Sequence, residues 1–143
     1  MEFYHVQQLS KKYKEACEQK SELVTALFEC LNKMKDDFCI EVVGNKDVIK
    51  LFDCDVKLVH RAVLIGDYQD CYCALDFIYL KNKDTEHTIT TLFFDQYGSV
   101  FWKHGQEFAP ALNSREADTL TSKTLKEKVI FPVTLALMEH LKD

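Results

Sequence analysis

The side chains best suited to chemistry in this 143-residue chain are six cysteines, five histidines and a few carboxylates set in strand-like patterns. The tightest group is Cys71-Tyr72-Cys73 taken with His60. On a strand, a C-x-C spacing sends both thiols to one face. If Gly66-Asp67 is a two-residue hairpin loop, His60 stands opposite Cys73, and three ligands converge in a way zinc accepts. A four-residue loop instead sets Ala62 against Cys73 and removes that geometry. Neither paired C-x2-C nor H-E-x-x-H spacing occurs, so small buried thiols beside a core histidine are the plainer reading, and no metal or cofactor is assigned.

Acid–base chemistry has four strand candidates, Glu41, His60, Asp76 and Asp95, which a sheet-lined cavity would have to bring together. Structural roles compete for two of them. Asp95 opens the turn Asp95-Gln96-Tyr97-Gly98, and Asp76 can pair with Lys57 across a hairpin. There is no G-x-S-x-G elbow, and no cysteine has chain neighbours that would depress its pKa. The glycines Gly44, Gly66, Gly98 and Gly105 are isolated turn residues, unlike those of a phosphate-binding loop. No catalytic residue is assigned.

Positioning these groups requires elements, and the apolar spacing defines them. From Val6 to Met34 the steps are mostly of three and four residues, which predicts one long amphipathic helix with a weak point at Cys17 to Ser21, where Lys20 takes an apolar slot. After Asp36-Asp37 the period becomes two. Strands are expected at about Phe38 to Val43, Val48 to Phe52, Val56 to Ile65, Cys71 to Leu80, Thr88 to Asp95 and Ser99 to Lys103. Turns fall at 44–47, Gly66-Asp67 and 95–98, with a polar loop from Lys81 to His87. Beyond Gly105 the stretch containing Pro110 reads as irregular, with Asn113 and Glu116 capping a short helical turn. Thr124 and Glu127 form a second candidate capping box for a last helix that Pro132 should either kink or interrupt by beginning a second one. Between Val129 and Met138 nine of ten residues are apolar, so this segment is either wedged into the core or covers a partner surface.

The order predicts a single α+β domain over residues 1–143: a long N-terminal helix, an antiparallel meander of about five to six strands and a C-terminal helix, with the helices on one sheet face. Both faces of the strands Val56 to Ile65 and Cys71 to Leu80 carry apolar residues, which leaves a second semi-apolar surface. His60, Phe77, Tyr79, Phe93 and Trp102 are the expected lining of a cavity between helices and sheet. Trp102 is also a candidate interface anchor.

Charge narrows the partners. The net charge is −5 and only Arg61 and Arg115 among 18 cations carry a guanidinium fork, which argues against nucleic acid and acidic membranes. Between Asp36 and Asp76 nine acids face four cations, and the rest of the chain is balanced. Asp53, Asp55, Asp67 and Asp70 lie in turn regions of that window and would steer a basic protein partner. With no secretory leader pattern and no membrane-length apolar run, the expected setting is cytoplasmic, with thiols free. The expectation is a small acidic protein-interaction module that forms a homodimer, of the inhibitor, immunity or chaperone-like accessory kind. A small-molecule-binding domain or an acid–base enzyme using the same cavity is the alternative.

Overall fold

A computed structural model of the protein describes residues 2–38, 40–43, 48–67, 69–82, 84–104, 107–113 and 120–143. The chain runs α1 (Phe3–Phe38), β1 (Ile40–Val43), β2 (Val48–Leu51), β3 (Cys54–Ile65), β4 (Asp70–Asn82), β5 (Thr85–Phe94), β6 (Ser99–His104) and β7 (Glu107–Asn113). It ends in one helical run: α2 (Ser122–Leu125), a π-helical turn (Lys126–Ile130) and α3 (Phe131–His140). The seven strands pair antiparallel in chain order, which is the expected α+β meander with one strand added. Pro110 hides that added strand in the sequence because it cannot donate to a ladder. On β7, the edge strand, and beside a bulge between Val100 and Phe101, it needs only one paired side. The expected turn at 44–47 and the cap at Glu116 lie outside the described residues.

α1 is unbroken through Cys17 to Ser21. Gln19 takes the inward slot and is buried, while Lys20 sends its ammonium to within 3.5 Å of His60 Nδ1. Its 36 residues span roughly 54 Å. Buried Ala16, Leu23, Leu27, Leu31 and Met34 form its inward stripe. That stripe packs on Val56 and Leu58 of β3, Cys73, Leu75, Phe77 and Tyr79 of β4, and Leu92, Phe94, Val100 and Trp102 of β5 and β6. Leu125, Val129, Val133 and Leu137 complete the same core, so the helices share one sheet face. Each fully buried side chain of this size contributes roughly 1.5–3 kcal/mol.

The last helical run starts earlier than expected. Thr121, not Thr124, is its N-cap, and the Thr121 hydroxyl accepts the Thr124 N–H at 3.3 Å. Pro132 falls in the first turn of α3, so a new α-helical segment begins there within one continuous helical run. A proline at this position has no N–H to give the Lys128 carbonyl, and its ring crowds that carbonyl. The π turn immediately before it widens the helix, and the Trp102 indole N–H donates to the Lys128 carbonyl at 3.0 Å. The strand side chain thus replaces the helix donor that proline removes.

Candidate interaction surfaces

The β3–β4 register settles the first candidate group. Ile65 pairs with Asp70, so 66–69 is a four-residue loop closed by the Gln69 N–H donating to the Gly66 carbonyl at 2.8 Å. Ala62 therefore faces Cys73, and His60 faces Leu75 two pairs away. His60 is exposed, and among the described residues no three His, Cys, Asp or Glu side chains converge as metal ligands. The expected cavity lining is likewise divided. Phe77, Tyr79 and Trp102 belong to the helix-facing core, whereas Phe93 points to the opposite face, because neighbouring strand residues alternate. There Phe93 meets Phe108 edge-on at 5.0 Å between ring centres, and Phe101 stacks on Tyr72 at 6.1 Å. Trp102 is buried in the core and is not an exposed anchor.

Asp76 and Asp95 are held in structural roles. Asp76 lies opposite Val59 and equally diagonal to Lys57 and Arg61, and it pairs with the arginine rather than with the expected Lys57. The guanidinium fork decides this: Arg61 Nε donates at 2.8 Å and Nη2 at 3.4 Å, and the Thr91 hydroxyl adds a bond at 2.6 Å. Lys57 reaches Glu86 at 3.8 Å instead. Asp95 serves its turn, its Oδ1 accepting the N–H groups of Tyr97 and Ser99, each at 2.9 Å. Glu41 stands on β1 opposite Lys50.

The acidic turns do not make one patch. Asp53 and Asp55 lie at one end of β3 and Asp67 and Asp70 at the other, roughly 40 Å apart along a 12-residue strand. Asp70 is engaged by Lys12 at 3.3 Å, and Asp55 Oδ1 is buried with no hydrogen-bond partner among the described residues. The paired thiols Cys71 and Cys73 are held toward the protonated form. Burial, then the neighbouring Cys17, pushes Cys73 up to about 12, and burial raises Cys71 as well. Tyr13 is also raised, chiefly by its hydrogen bond to Cys17.

A different surface is left open, at the C-terminal helix. Val129, Ile130, Val133 and Leu137 face the core, and the opposite side of α3 presents Phe131, Leu135 and Met138, with Leu141 just beyond. These are 59%, 45%, 46% and 39% exposed, so the apolar run from Val129 to Met138 divides between a core-facing side and an exposed one. Beside it lies an apolar cleft of about 210 Å³, lined by Met34, Leu51, Phe52, Ile130 and Phe131 together with Lys126 and Thr134. Phe52 sits in the tight β2–β3 turn, where Leu51 pairs with Cys54, and it is 54% exposed. Phe52 and Asp53 adopt φ of 52° and 59°. That turn needs positive φ at both central residues, a conformation that suits Asn-Gly and strains a bulky aromatic. The chain therefore holds an aromatic ring in solvent at a conformational cost, next to the exposed face of α3. Comparison with protein-family models, with curated proteins and with solved structures found no match.

Proposed function

We propose that the protein is an interaction module that pairs with a second copy of itself through the outer face of α3. The observation that carries this reading is the exposed set Phe131, Leu135, Met138 and Leu141, joined across the cleft by Phe52. Together these five side chains expose on the order of 400–500 Å² of apolar surface, within the upper range for the largest patch on a monomer. The spacing Phe131, Leu135, Met138 alternates steps of four and three, the seam of paired helices.

Charge selects the occupant. The start of the helical run carries Lys123, Lys126 and Lys128 against Glu127, with no acid in its first turn. Its end carries Glu139 and Asp143 against His140 and Lys142, the lysine being bridged to Glu139 at 2.9 Å. This is the reverse of what the helix dipole favours within one chain. An antiparallel second copy lays each lysine-rich start over the other's acidic end, brings Leu135 near the two-fold axis and sets Phe131 against Met138 of the other copy. A closed two-fold contact of this kind is self-complementary. Its modest area implies affinity on the order of micromolar rather than an obligate dimer.

Sedimentation velocity over a concentration series tests this. The expected result is a reversible monomer–dimer boundary that Leu135→Glu shifts at least tenfold toward monomer with its circular dichroism unchanged. A chain that stays monomeric at every concentration refutes the second copy as occupant and leaves the face to a different protein.

A further inference from the structure

We propose that His87 and His140 form a two-imidazole site for one divalent transition-metal ion of the zinc type, held in tetrahedral geometry with its other positions open to water. The site is independent of the self-association face, because His140 turns toward the sheet while Phe131, Leu135 and Met138 turn away from it. A β-bulge creates it. β4 and β5 pair in register down to Phe77 and Thr90, and the next pair skips Ile89 and joins Ile78 to Thr88. This one-residue shift puts His87 opposite Tyr79, on the helix-facing side. His140, in the last turn of α3, comes down onto the same spot. The two imidazole centres are 5.6 Å apart with planes inclined by 37°. Tyr79, 8% exposed, walls the pair, its ring centre 6.5 Å from His87 and 6.2 Å from His140.

The separation is what one shared ion requires. With metal–nitrogen bonds of about 2.0–2.1 Å, each ring centre lies roughly 3.2 Å from the metal, so two ligands at the tetrahedral angle place their rings about 5.2 Å apart, and two at a right angle about 4.5 Å. The observed 5.6 Å lies a few tenths of an ångström beyond the tetrahedral value, and closure on an ion also requires each ring to turn a nitrogen toward it. Unbranched bonds at the end of α3 permit it, since His140 is exposed. Among the described residues no third ligand completes the set, so water or an exogenous anion would fill the remaining positions.

Cobalt(II) titration of the full chain after chelator treatment, read by visible absorption, tests the site, with zinc(II) calorimetry as the second measurement. The expected result is one equivalent bound with the intense d–d bands of a tetrahedral ion. His140→Ala and His87→Gln should each weaken binding at least tenfold, and His60→Ala should leave it unchanged. A thiolate-to-cobalt charge-transfer band, binding that survives both variants, or a wild-type chain that binds no ion each overturns the proposal.

Discussion

Replacing Trp102 with phenylalanine should cost far more than the lost ring volume, because the indole N–H is the donor for a carbonyl that proline has orphaned. The Lys128 carbonyl would ordinarily accept the N–H four residues on, and that residue is Pro132. Trp102 supplies the bond at 3.0 Å from a 9%-exposed position. Removing the donor leaves a part-buried acceptor unpaired, worth about 1–3 kcal/mol, and the smaller ring adds roughly 1 kcal/mol for the void. In a Pro132→Ala background the restored amide can donate to Lys128, so Trp102→Phe should then cost only the packing part. The expected coupling is about 1–2 kcal/mol, read from urea unfolding by far-ultraviolet circular dichroism, since Trp102 is the single tryptophan and fluorescence is lost with it. Equal costs in the two backgrounds would refute the compensation between strand and helix.

Three further outcomes follow from particular contacts. Phe52→Asn relieves the positive φ and should stabilise the fold by about 1 kcal/mol in urea while weakening self-association, and destabilisation would contradict the assigned strain. Asp76→Asn keeps the shape of the side chain but loses the charge-assisted bonds to Arg61. Because Arg61 is about half exposed the expected loss is only about 1 kcal/mol, with Asp76→Ala costing more. The third concerns pH. Cys73 is raised to about 12 in the fold, above the roughly 8.5 of a free thiol, so the native state holds that proton more tightly than the unfolded chain. Its stabilisation is complete below about pH 8.5 and is lost as pH rises toward 12. Between neutral pH and about pH 10.5 wild type should therefore lose more stability than Cys73→Ala, and equal losses would contradict the assignment.

The helices and the first six strands are legible because periods of 3.6 and 2 reflect which face meets the core, a property each segment carries alone. Register is not of that kind. The pairing of Ala62 with Cys73 follows from a loop two residues longer than the tight alternative, and the bulge at Ile89 that turns His87 inward leaves no mark in residue type. His87 reads as loop because Lys81 to His87 is polar, although β4 and β5 run to Asn82 and from Thr85. The choice of Arg61 over Lys57 for Asp76 depends on side-chain geometry at two equal diagonals. Trp102 misleads in another way: an aromatic beside a turn suits an interface and a core equally, and only the missing amide of Pro132 explains why this one is buried. The apolar run at the C-terminus was readable as a composition, and the division between core and open face needed the position of the sheet beneath it.

Pairing of α3 with a second, antiparallel copy is tested most directly by disulfide trapping. Phe131→Cys and Met138→Cys chains would be oxidised separately and as a mixture, with wild type as the control for the native thiols. Antiparallel pairing predicts that the mixture forms a reducible cross-linked dimer joining the two variants, while each variant alone forms little more than wild type does. Self-cross-linking of each variant alone, or no cross-linked species in the mixture at concentrations well above micromolar, would contradict it.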